Sequence, residues 1–118
     1  MERGDVHKIH VHLPDRARGA GTSPILKYVV SLQGGPDFAN QTDAVVIIAS
    51  TYKRRARGVQ PYEVLVGQRE GFSHDTVIDC RWVITIQKAE APSSTWQFRL
   101  PPDVMDDVSA ALVVGLQL

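Results

Sequence analysis

The pattern of hydrophobic and polar positions is organised around residues 43–52, DAVVIIASTY. An apolar run, residues 44–49, ends in two hydroxyl residues, Ser50 and Thr51. A short run rich in β-branched residues predicts a strand buried on both faces. On either side the pattern changes to alternation. In residues 6–13, Ile9, Val11 and Leu13 point one way and Lys8, His10 and His12 the other, which predicts a half-buried strand. Residues 25–32 form a second strand, with Leu26, Tyr28, Val30 and Leu32 on one face and Ile25, Lys27, Val29 and Ser31 on the other. Further strands are predicted over residues 62–66, 76–80, 83–87 (after a bend at Arg81-Trp82) and 96–100. Pro101-Pro102 stops the last strand and opens a helix, where proline is tolerated in the first turn. Val104, Val108, Leu112 and Leu116 then recur at fourfold spacing, with Met105 and Ala111 beside them. The expectation is a mainly β domain with one amphipathic C-terminal helix laid on a sheet.

The connections are polar. Residues 14–24 carry two prolines with Asp15, Arg16 and Arg18, and residues 33–42 open on Gly34-Gly35-Pro36. In residues 14–24 the turn formers argue against helix; residues 33–42 are expected to be a polar loop. Residues 67–74 form a turn containing His74.

At 118 residues the chain is expected to be one domain, residues 1–118, large enough to bury a core. Apolar content of 43% and charged content of 22% are those of a globular protein. No apolar run is long enough for a membrane helix, and the N-terminus is charged from Glu2, so neither membrane insertion nor a secretory leader is expected. A single cysteine, Cys80, excludes an intrachain disulfide framework and a multi-cysteine zinc site, and fits the reducing cytoplasm. His10 and His12 share a face, but Lys8 lies on it too and nothing nearby completes a metal site.

Net charge is zero, with 13 basic and 13 acidic residues. The cations are concentrated early: Arg16, Arg18, Lys27, and then Lys53, Arg54, Arg55 and Arg57 directly after the central strand. A basic region on a neutral protein suggests a local anionic ligand. Lys27 is a cation within a largely apolar strand. Sequential strands usually lie side by side, which would bring Lys27 to the Ser50 and Thr51 hydroxyls. A cation and hydroxyls around one phosphate can bind the pentacoordinate state of RNA cleavage better than the ground state. There the ribose 2′-hydroxyl attacks its own phosphorus, so neither a metal nor a protein nucleophile is required. There is no GxGxxG, GxxxxGK[ST], HExxH or GxSxG motif to point elsewhere.

Arg3-Gly4-Asp5-Val6 opens a strand, and an apolar strand ends in Ser50-Thr51. Pro61-Tyr62-Glu63-Val64-Leu65 follows, then the stretch from Gly71-Phe72-Ser73 to Cys80, then Ile84-Thr85-Ile86-Gln87-Lys88 and the closing helix. In this order the motifs resemble the MazF/PemK toxins of bacterial toxin–antitoxin systems, over nearly the whole chain. The resemblance implies an SH3-like β-barrel of the MazF/CcdB type with a C-terminal helix, acting as a homodimer. It further implies an endoribonuclease, independent of metals and cofactors, that cuts single-stranded RNA at short sequences and is inhibited by a cognate antitoxin. The family's strand arginine maps onto Lys27, followed here by Tyr28 instead of proline. Its strand-end hydroxyl maps onto Ser50 or Thr51. Lys27, Ser50 and Thr51 are thus the candidate catalytic residues. Arg16, Arg18, Lys53, Arg54, Arg55 and Arg57 are the candidate RNA contacts.

Residues 19–26 lack the acidic residue of many members, and Ile84 stands where the family's RTI segment has arginine. These departures define the alternative, a barrel that keeps RNA or protein binding with weakened or lost turnover. A gyrase poison like CcdB ranks last, because that family acts through a terminal Trp-Gly-Ile and this sequence ends Leu116-Gln117-Leu118.

Overall fold

In the computed structural model, residues 1–12, 24–53 and 58–118 are described. Six strands form one antiparallel sheet: β1 (Asp5–Val11), β2 (Ile25–Ser31), β3 (Asp43–Thr51), β4 (Glu63–Val66), β5 (Thr76–Gln87) and β6 (Trp96–Arg99). Their spatial order is β4-β5-β3-β2-β1-β6. The sheet curls into a half-barrel, with β4 and β6 at its edges. A short helix, α1 (Pro36–Ala39), precedes β3, and a long one, α2 (Pro102–Gly115), closes the chain. None of the helices described is long and apolar enough to cross a membrane.

Why the central run is apolar throughout is now visible. Successive side chains of a strand leave on opposite faces, and each face of β3 meets its own core. Ile47 and Ala49 enter a cluster with Val6, Val30, Phe72, Ile78, Met105 and Val108, which lies between the sheet and α2. Ala44, Val46 and Ile48 enter a second cluster with Ile9, Val11, Val29, Phe38 and Ile86 on the opposite face. Burying each valine, isoleucine, methionine or phenylalanine among them contributes about 1.5–3 kcal/mol, and each alanine less. β3, like β1, β2 and β5, contributes side chains to both cores.

The predicted elements recur with particular differences. Residues 76–80 and 83–87 belong to one strand, β5. The expected bend persists as a register shift: Ile47 stands opposite Val83, yet Ala49 stands opposite Ile78. The polar connection 33–42 contains α1, which inserts Phe38 into the second core. Four residues around one phenylalanine give too little periodicity to announce a helix. In α2 the buried positions are Met105, Val108 and Ala111, while Leu116 is the exposed residue that caps the helix. The apolar stripe therefore ends one turn earlier than fourfold spacing predicts.

At the start of β1 the alternation breaks down. Asp5, Val6 and His7 are all buried. Asp5 accepts hydrogen bonds from Arg99 Nε at 2.8 Å, Trp96 Nε1 at 3.1 Å and the Glu2 backbone N–H at 2.7 Å. Burial alone would push its carboxyl up, but these donors outweigh burial and hold it below the ordinary value. His7 Nδ1 bonds Thr95 Oγ1 at 2.8 Å, while its buried Nε2 has no hydrogen-bond partner among the described residues. Burial lowers the pKa of His7.

Candidate functional site

Strand register assembles the site. Along β2 and β3, Val29 stands opposite Ile48 and Tyr28 opposite Ala49. One further step sets Lys27 opposite Ser50. Lys27 Nζ donates a hydrogen bond to Ser50 Oγ at 3.1 Å. By alternation Lys27 shares its face with Val29, and Ser50 shares the same face with Ile48. Both therefore stand at the open end of the second core rather than under α2.

Electrostatics at this point oppose the charge that is present. Lys27 is half-buried, and burial lowers its proton affinity; the positive charge of Lys53 lowers it further. An incoming anion would counter both effects. The hydroxyl of Ser50 supplies a donor beside the ammonium, so two O–H and N–H donors can meet one phosphoryl group there.

Thr51 leaves β3 on the other side and has a different partner. Its Oγ1 lies 2.9 Å from His74 Nε2, and Ser73 Oγ lies 2.9 Å from His74 Nδ1. The turn carrying His74 is fastened to the end of β3. Thr51 pairs with Thr76, Tyr52 N–H donates to the Asp75 carbonyl at 3.0 Å, and Thr76 Oγ1 donates to the His74 carbonyl at 2.9 Å. Lys27 and Ser50 line the same small open depression as Thr51, His74, Lys8, Leu26 and Tyr28, with a cavity volume of about 150 Å³.

Of the candidate catalytic residues, the fold brings Lys27 and Ser50 into direct contact and turns Thr51 towards His74 instead. Among the candidate RNA contacts, Lys53 is exposed and close enough to act on Lys27. Arg16, Arg18, Arg54, Arg55 and Arg57 lie outside the described residues. His74 is the residue whose setting the sequence hid. It appears there as a lone turn histidine, and its partner Thr51 becomes visible only once β3 pairs with β5. Cys80 is fully buried and its thiol is pushed up to about 12, first by burial and then by Asp79, which makes it a poor nucleophile.

A half-barrel of this topology closed by a C-terminal helix defines the class: the fold is that of MazF toxins. An endoribonuclease bound to its cognate antitoxin, from a mycobacterial species, aligns with a TM-score of 0.73 at 19% identity, covering 100% of this chain and 96% of that one. Mycobacterium tuberculosis toxin MazF-mt6 aligns with a TM-score of 0.67 at 18% identity, over 94% and 97% of the two chains. A MazE–MazF structure from Deinococcus radiodurans gives 0.70 at 15% identity, over 100% and 97%. These likenesses are of fold. No family model matches this chain, and no curated protein does.

Proposed function

We propose that this protein is an endoribonuclease toxin that cuts single-stranded RNA by attack of the ribose 2′-hydroxyl on the adjacent phosphorus. The observation that carries the proposal is the Lys27–Ser50 hydrogen bond, formed where burial and Lys53 leave an ammonium in want of an anion. In the reaction a 2′-O–P bond forms and the P–O5′ bond breaks. The products are a 2′,3′-cyclic phosphate and a 5′-hydroxyl. Charge that builds on the nonbridging oxygens is met by the Lys27 ammonium and the Ser50 hydroxyl. The 2′-hydroxyl proton passes to solvent. Lys27, whose proton is held less tightly than an ordinary lysine's, is suited to protonate the departing 5′-oxygen. Lys53 and the basic residues beyond it follow the backbone of the strand. Single-stranded RNA is the fitting substrate, because its ribose and phosphate are free to reach the in-line arrangement.

The proposal brings with it a second copy of the chain and an antitoxin that covers the RNA-binding surface, working in the cytoplasm as one domain. Support for the antitoxin comes from the fold, which a mycobacterial endoribonuclease shares in complex with its cognate antitoxin. The experiment is incubation of a long unstructured transcript with purified protein in excess EDTA, with mapping of new ends. New 5′-hydroxyl and cyclic-phosphate ends at recurring short sequences are expected. RNA binding without such ends selects the binding module instead. That second reading is favoured by a lysine at the site, which lacks the planar fork with which arginine grips phosphate.

A further inference from the structure

Resting on the RNA-cleaving reading, we propose that His74 is a stacking platform for one nucleobase of the RNA, beside the nucleotide held at Lys27 and Ser50. Three observations carry it. First, His74 is exposed, yet both ring nitrogens are engaged, by Ser73 and Thr51 at 2.9 Å each. Hydrogen bonds to imidazole nitrogens lie in the plane of the ring. They fix the ring and leave its faces as the contact surface. Second, the ring borders an open depression whose floor is partly apolar, with Leu26 48% exposed in it and Tyr28 beside it. Third, the depression has a cation, Lys8, whose Nζ lies 5.3 Å from the centre of the Tyr28 ring. A flat apolar surface, an immobilised imidazole and an adjacent cation suit a nucleobase and the phosphate attached to it.

Lining ties this depression to the cleavage site, because Lys27 and Ser50 border it together with Thr51 and His74. Ser50 and Thr51 are consecutive on β3, and their side chains leave on opposite sides of the strand. A strand of RNA crossing the end of β3 would set its reacting phosphate on Lys27–Ser50 and a neighbouring base on His74. The exposed faces of the His74 ring are thereby assigned to the RNA, while its two nitrogens are held by Ser73 and Thr51.

The test measures cleavage kinetics on a short single-stranded RNA taken from a mapped cut site, together with versions carrying an abasic residue at each position in turn. His74→Ala is expected to raise KM on the order of tenfold, the scale of one lost base stack, with kcat little changed. The abasic change at one position is expected to weaken wild type by a similar factor and to leave His74→Ala unaffected. His74→Phe, which keeps a flat ring, is expected to recover most of the binding. Equal sensitivity of wild type and His74→Ala at every abasic position would overturn the platform, and so would a His74→Phe variant as defective as His74→Ala. A fall in kcat at unchanged KM would likewise overturn it, in favour of a chemical role. If wild type neither binds nor cuts any single-stranded RNA, the ribonuclease reading itself fails, and the platform fails with it.

Discussion

Lys27 Nζ and Ser50 Oγ stand 3.1 Å apart because antiparallel register sets their residues face to face where β2 and β3 meet the solvent. Neither residue alone would mark a site. Surface lysines and strand-end serines are ordinary features, and what distinguishes this pair is a cation held where burial and a second cation both disfavour it. Such a group is poorly satisfied until an anion arrives. It follows that Lys27→Met should not destabilise the free protein and should raise its thermal midpoint slightly, while weakening its stabilisation by single-stranded RNA. Thermal unfolding with and without a single-stranded oligonucleotide checks both halves.

The two hydroxyls at the end of β3 should separate in their effects. Ser50→Ala removes the donor next to Lys27 and is expected to lower kcat by about a hundredfold, the scale of one lost transition-state donor. Thr51→Val removes a partner of His74, and is expected to act mainly on KM. Steady-state kinetics on one RNA distinguishes them.

Much of this arrangement was legible in the sequence. The apolar run of residues 44–49 announced a doubly buried strand, and alternation in residues 25–32 put Lys27 among apolar neighbours. Sequential strands pair often enough to expect Lys27 near residues 50–51. Which of Ser50 and Thr51 meets Lys27 needed the register itself, since a slip of one residue exchanges the two faces. His7 was also within reach. Stepping back by twos from Val11 and Ile9 leads to His7 and Asp5, both inward; polar identity obscured the pattern. His74 was not legible, because its partner Thr51 is 23 residues away. Phe38 was hidden by the brevity of α1.

Acid should destabilise the fold in two stages. His7 has its pKa lowered by burial from 6.5, so the unfolded chain takes up the proton first. Its contribution is present above that value and is lost as pH falls towards the lower, folded value. Asp5 is held below 3.8 and behaves the same way further down. Urea midpoints should therefore decline below about pH 6.5 and again below about pH 4. Asp5→Ala should lose about 2–3 kcal/mol at neutral pH and flatten the lower stage. Chemical unfolding across pH 3–8 on both proteins checks it.

Gly71 sets the turn that carries His74. Its φ is +120°, and an added Cβ would lie 2.8–2.9 Å from the Phe98 ring. That ring already packs edge-on against Phe72, with centroids 4.8 Å apart. Gly71→Ala is expected to destabilise the fold by about 1–3 kcal/mol from backbone strain alone. Its RNA affinity should fall more than its turnover. Denaturant melts paired with KM and kcat measurements test this.

The role of Lys27 is decided by single-turnover cleavage of one single-stranded RNA in EDTA, by wild type and by Lys27→Ala at equal folded concentration. The Lys27→Ala rate is expected to be lower by a factor of about a hundred to a thousand, with the same cut positions for any residual activity. Equal rates for the two proteins would contradict that role.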